Sequence, residues 1–139
     1  MAIRTLLAVD GSAHSDRATA QVIELIRNGA QLDVTVLQVQ PFMSIEAQAL
    51  HLEENGRAAM RSSLALLEAA GVSCKTHIAM GPAGVRIVEH ASGAAADSGG
   101  AFGLVVLGTH GLGWVNTVLV GSVAKHVIDH CTVPVLVVR

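Results

Sequence analysis

Aromatic side chains are almost missing: only 2% of the 139 residues, with no tyrosine, two phenylalanines (Phe42, Phe102) and one tryptophan, Trp114. That removes ring stacking as a main mode of ligand recognition. A planar base bound here has to lie against aliphatic side chains and hydrogen-bond to backbone groups. Charge is scarce as well, at 14% with a formal net charge of −2, so there is no basic footprint for nucleic acid. No apolar run approaches the ~20 residues that span a bilayer, which argues against a membrane partner. MAIRTLLAVDG enters a strand pattern directly and is too short in apolar length for a signal peptide, so a cytoplasmic location is expected. The two cysteines, Cys74 and Cys131, form no CxxC or zinc spacing and read as free thiols in the core. No G-x-x-x-x-G-K-[ST] occurs, which excludes a P-loop nucleotide hydrolase.

What is present is apolar: 51% of the chain is hydrophobic, enough for one domain over residues 1–139 with a sizeable core. Ile3–Val9 is a short buried strand ending at Asp10–Gly11–Ser12, and helical spacing follows over 14–27, closed by Asn28–Gly29. Leu32–Val39 is β-branched and predicts a second strand. After a loop from 41, a long helix is expected over 47–70 with Leu50, Met60, Leu64 and Leu67 inward, stopped by Gly71. Residues 72–80 predict strand three. Gly81–Pro82 opens a third helix carrying Val85, Ile87, Val88 and Ala91. Residues 92–103, SGAAADSGGAFG, read as a frayed helix end and a flexible surface loop. Leu104–Leu107 is strand four, 122–130 a fourth helix, and 133–138 a fifth strand.

Strands alternating with helices, and strands that are almost continuously apolar, predict an α/β fold: one five-stranded parallel sheet with helices on both faces. Right-handed crossovers favour the flavodoxin-like order 3-2-1-4-5 or a Rossmann-like one. In such sheets ligands bind beyond the carboxyl ends of the strands, where the order reverses. In the 3-2-1-4-5 order that point lies between strands one and four, so Asp10–Gly11–Ser12 is expected to face Gly108–Gly111 across one crevice.

The stretch from Leu104 to Lys125, LVVLGTHGLGWVNTVLVGSVAK, carries the chemistry. A strand empties into glycines (Gly108, Gly111, Gly113), and Gly121–Ser122 then starts a helix. Glycines let the backbone approach a ligand, and the free amides of a helix start hold an anion. The Ser122 hydroxyl can donate to a phosphate oxygen. Thr109 and His110 fall inside the motif and are expected to line the pocket. Asp10 has a second reading as a turn former, because Asp-Gly-Ser is good turn chemistry in any context.

Gly108-x2-Gly111-x9-Gly121-Ser122 resembles the G-x2-G-x9-G-[ST] motif of the ATP-binding universal stress proteins. The resemblance extends to Asp10–Gly11–Ser12, to the Gly81–Ile87 segment and to Pro134–Val138, essentially the whole chain. It implies the fold of the adenine nucleotide alpha hydrolase-like group and binding of ATP, or of AMP, ADP or a cyclic nucleotide. It implies that Asp10 lies near the ribose and adenine or a bound Mg²⁺. It also implies that Val39 contacts adenine, and that Gly108, Gly111, Gly121, Ser122 and Val123 cradle phosphates and ribose. The chain departs from its relatives at Leu112–Thr117, which lacks the Arg or Lys many of them place near phosphate. Lys125 is the nearest positive charge in sequence.

These features predict a ligand-dependent regulator of the stress response with at most slow hydrolysis, since no acid–base pair is positioned and no cation supports phosphoryl transfer. The alternative is a nucleotide-independent protein–protein module. The VPVLVV segment at 133–138 is a hydrophobic edge expected to pair as a homodimer, and a regulatory protein partner is expected. His126 and His130, four residues apart on one helix, read as a solvated face rather than a metal pair. His14, His51, His77 and His90 share no spacing.

Overall fold

In the computed structural model, which describes residues 1–110 and 120–139, the first strand is β1, Ile3–Val9, fully buried over its last five residues. It sits at the centre of a five-stranded sheet ordered β3-β2-β1-β4-β5. The others are β2 (Leu32–Gln40), β3 (Cys74–Met80), β4 (Leu104–Gly108) and β5 (Val135–Val138). All neighbours are parallel, with registers Leu7↔Val36, Leu7↔Val106, Val36↔Thr76 and Val106↔Leu136. The helices are α1 (Ala13–Arg27), α2 (Ile45–Ala47), α3 (Glu53–Ala69), α4 (Ala83–Ser92) and α5 (Ser122–His130).

Strand side chains alternate between the two sheet faces, and the core divides accordingly. Leu7, Val9, Val34, Val36 and Val106 pack with Ala18, Val22 and Ile23 of α1 and with Met60 and Leu67 of α3. Leu6, Ala8, Leu37, Val105 and Leu107 pack with Ile87 and Ala91 of α4, Ala124 and Val127 of α5, and Phe102. Leu6 and Leu7 are both fully buried, on opposite faces, and each contributes roughly 1.5–3 kcal/mol by leaving water. A buried hydroxyl contact fixes α1 against α3, with Thr19 Oγ1 2.9 Å from Ser63 Oγ.

Several expectations need adjustment. The helix expected over 47–70 is continuous from Ile45 to Ala69, capped by Ser44, but it contains a π-helical turn over Gln48–Leu52 between the α-helical stretches α2 and α3. Leu50, expected inward, lies in that wide turn and is exposed, because the extra residue per turn rotates it off the core-facing stripe. Strand three starts at Cys74 rather than 72, since the Val72 amide is turned back to Leu67 O to close α3. Strand five is likewise shorter, starting at Val135.

Residues 93–103, expected as a flexible loop after a frayed helix, are anchored. α4 ends at Gly93 in the left-handed conformation (φ 81), with the Gly93 amide bonded to His90 O and the Ala94 amide to Glu89 O. A Cβ at Gly93 would lie 2.7 Å from the Ala101 nitrogen, so space as well as φ requires glycine. Arg4 on β1 donates to Ser98 O at 2.8 Å and Ala101 O at 2.9 Å, with its guanidinium 4.2 Å over the Phe102 ring. No helix among the described residues is long and apolar enough to cross a membrane.

Candidate functional site

The carboxyl ends of β1 and β4 are neighbours through the β1–β4 pairing, and the start of α1 packs on both. Gly108, the last residue of β4, has no room for a side chain. A Cβ there would lie 2.7 Å from His14 Cβ and 2.8 Å from His14 O. The close approach of β4 to the first turn of α1 thus depends on glycine. The start of α5 joins from the other side, with the Gly121 amide donating to Thr109 O at 2.7 Å. A Cβ on Gly121 would stand 3.2 Å from His110 Cα. The Thr109 amide in turn donates to Val138 O at 2.9 Å, which fixes the end of β4 to the end of β5.

Of the residues singled out in the sequence, Gly108, Thr109, His110 and Gly121 are therefore brought together. Asp10, Gly11 and Ser12 form the turn that leads into α1 beside them. Val39 stands near the carboxyl end of β2, paired with Ala79 and half-buried against the core face that carries α4 and α5. Ser122 and Val123 open α5 and are exposed. Gly111, Gly113, the 112–117 loop and Trp114 lie outside the described residues. Lys125 does not turn toward the cleft chemistry. Its Nζ is 2.8 Å from Asp129 Oδ2, and this bond raises the lysine pKa while lowering that of the aspartate.

The turn after β1 is organised by hydrogen bonds to one carboxylate oxygen. Asp10 Oδ1 accepts from the Ser15 hydroxyl at 2.7 Å and from the Ser12 amide at 3.0 Å. The Asp10 amide donates to Ser15 Oγ at 2.9 Å. Ser12 is the N-cap of α1, its hydroxyl accepting from the Ser15 amide at 3.2 Å. The turn-forming role of Asp10 is thus explicit, and the Ser12 hydroxyl is committed to capping a helix. The start of α5 differs: its N-cap is Gly121, which has no side chain to cap the first amides of the helix.

Sequence reasoning did not single out His14, yet it sits where these elements meet. Its ring lies 5.2 Å from that of His110, centroid to centroid, and its Nδ1 is 2.9 Å from Arg17 Nη2. Partial removal from water, then the Arg17 guanidinium and His110, hold the His14 pKa below its usual value, with Asp10 opposing. The same Arg17 nitrogen lies 3.4 Å from His14 Nε2, and because an arginine can only donate, the ring meets it as an acceptor. No sequence spacing announces this, because His14 and His110 meet only through the sheet order.

Comparison with known proteins agrees with this architecture. The family described as Universal stress protein family matches residues 1–139. The chain is 30% identical over 144 residues to a universal stress protein, MJ0531, of Methanocaldococcus jannaschii, covering 98% of this chain and 81% of that protein. Among solved structures, the hypothetical protein MJ0577 superposes with a TM-score of 0.75 at 26% identity, covering 99% of this chain and 96% of that one. A universal stress protein in complex with cAMP superposes with a TM-score of 0.74 at 22% identity, covering 99% and 97%.

Proposed function

Because the chain belongs to the universal stress protein family, we propose that it binds an adenine nucleotide in the cleft between the ends of β1 and β4 and acts as a ligand-dependent regulator of the stress response. The observation that carries this reading is the convergence of Gly108, Thr109 and Gly121 with the glycine-capped start of α5. Amides at a helix start, reached over glycine, suit a phosphate. A structure of the same fold carries cAMP, whose adenine, ribose and phosphate are the parts such a cleft accommodates.

In this reading Val39 lies against the base, which has no aromatic partner to stack on, and Gly108, Gly111, Gly113, Gly121, Ser122 and Val123 hold ribose and phosphates. Asp10 stands near the ribose or, through the nucleotide, a Mg²⁺ ion. Thr109 and His110 line the pocket. The positive charge absent from 112–117 has a counterpart in Arg17, one turn into α1 beside His14. Among the described residues no general base is paired with a cation for phosphoryl transfer at the cleft, in keeping with at most slow hydrolysis of a bound ATP.

The test is thermal unfolding with Mg·ATP, AMP and cAMP in turn, followed also by the emission of Trp114, the single tryptophan. A ligand at a hundred times its Kd adds about 2.7 kcal/mol, which raises Tm by several degrees. No shift with any of the three, with unchanged emission, would refute the reading.

A second reading, a homodimer through residues 133–138, is favoured by β5. It is the outermost strand next to β4, and all four of its residues are apolar and half-buried rather than shielded or charged.

A further inference from the structure

The second cluster of titratable side chains lies away from the nucleotide cleft. His77 is on β3, the other edge strand, and points to the same sheet face as Ala79, which packs in the α4 side of the core. His90 is near the carboxyl end of α4, and Asp97 is in the anchored segment that follows. By register His77 is level with Leu37 and Ala8, and β3 lies two strands over from β1, so the cluster is separated from Gly108 and Gly121 across the sheet. His77 Nε2 is 2.9 Å from Asp97 Oδ2, and His90 Nε2 is 3.3 Å from Asp97 Oδ1. The two rings are 4.7 Å apart, centroid to centroid. One ligand atom from each of the three residues falls within 4.8 Å of the others.

The state of His90 is decisive. It is 5% exposed, and its Nδ1 lies 3.0 Å from Arg86 O. A carbonyl only accepts, so Nδ1 carries a hydrogen and a metal would be met through Nε2. That atom is buried and makes no hydrogen bond, with an Asp97 oxygen 3.3 Å away. A buried polar atom without a hydrogen bond calls for a partner, and a metal ion would supply one. A histidine fixed by an Nδ1–H bond to a backbone carbonyl, with Nε2 turned to a carboxylate and a second imidazole, is also how metal-ligating histidines are oriented.

We propose that His77, His90 and Asp97 form a divalent transition-metal site, with zinc the ion that suits two imidazoles and one carboxylate. Bonds of about 2.0–2.2 Å in a tetrahedral set place ligand atoms about 3.3 Å apart; the two histidine-to-carboxylate separations are 2.9 and 3.3 Å, and the set of three closes within 4.8 Å. His77 is partly exposed and Asp97 exposed, so the fourth position faces solvent and is filled by water. The neighbouring charges, Arg86 and Glu89, pair with each other at 3.0 Å and leave the three ligands to the ion. Bound metal would tie an edge strand, a helix end and the 93–103 segment together at the β3 edge of the sheet.

The test uses the untagged full chain after chelator treatment. Zinc titration by calorimetry should show one ion per chain, and Co²⁺ should give the visible absorption of a tetrahedral site. Asp97→Asn and His77→Gln, both outside the core, should each weaken binding tenfold or more. The double variants Cys74→Ser/Cys131→Ser and His126→Gln/His130→Gln should bind as the parent does. No heat of zinc binding would overturn the site. So would binding that survives both Asp97→Asn and His77→Gln, or binding abolished by either control pair.

Discussion

At the scale of single residues, Asp10 poses the sharpest question, because one carboxylate is asked to shape a turn and to meet a ligand. Its Oδ1 accepts from both the Ser12 amide and the Ser15 hydroxyl. Asp10→Asn keeps a carbonyl oxygen for those bonds and removes only the charge, so stability should fall by less than about 1 kcal/mol. Asp10→Ala deletes the acceptor and should cost about 1–2 kcal/mol through the freed amide and hydroxyl. If the charge serves Mg²⁺ on the nucleotide, Asp10→Asn should weaken Mg·ATP far more than metal-free AMP. Urea denaturation and calorimetry on both variants separate the two roles. Equal binding of Mg·ATP by Asp10→Asn and the parent would leave Asp10 as a turn former alone. A single-residue account also explains why His14 escaped the sequence reading. Its partners, Gly108 and His110, are almost a hundred positions away and become neighbours only when β4 pairs with β1.

At the scale of elements, local pattern and outcome agree where burial dominates. β1, β2 and β4 read correctly because a strand covered on both faces is short and mostly apolar, with its buried positions filled by Leu, Val and Ala. Gly108 and Gly121 were legible as well, since closeness to His14 and to Thr109 and His110 leaves a mark in composition. The failures share a cause: long-range polar contacts leave none. SGAAADSGGAFG looks featureless, yet Arg4 holds its carbonyls and Phe102 closes the core under α4. His77, His90 and Asp97 have no common spacing because they sit on three different elements. Arg4→Ala tests the anchoring directly. It removes two hydrogen bonds to otherwise dangling carbonyls and a cation over Phe102, so a loss of about 1–2 kcal/mol is expected. Hydrogen exchange should accelerate first at the amides of 98–103. Uniform acceleration over the whole sheet, or none, would show that the segment is held by something else.

At the scale of the whole molecule, the parallel sheet separates its tasks across its width. The carboxyl ends of β1 and β4 gather helix starts and suit an anion, while the two histidines and Asp97 stand at the β3 edge, two strands over from β1. The remaining surface to account for is the β5 edge. In a parallel strand, alternate residues direct both amide and carbonyl to the same neighbour. Pro134 O accepts from the Val105 amide and Val138 O from the Thr109 amide, so residues 134, 136 and 138 face β4. The polar groups of Val135 and Val137 are therefore directed away from β4, toward the open edge where a second copy would pair. Val137→Pro deletes one outward amide and adds a ring on that side, while the bonds from β4 to Pro134 and Val138 are kept. If the dimer forms through this edge, sedimentation at micromolar concentration should show the parent as a dimer and Val137→Pro as a monomer. Far-ultraviolet dichroism should be unchanged, and nucleotide binding should be retained because the cleft belongs to one chain. A monomeric parent, or a Val137→Pro variant that sediments as the parent does, would place the contact on another surface, for which the exposed Phe42, Ile45 and Leu50 are the largest apolar alternative.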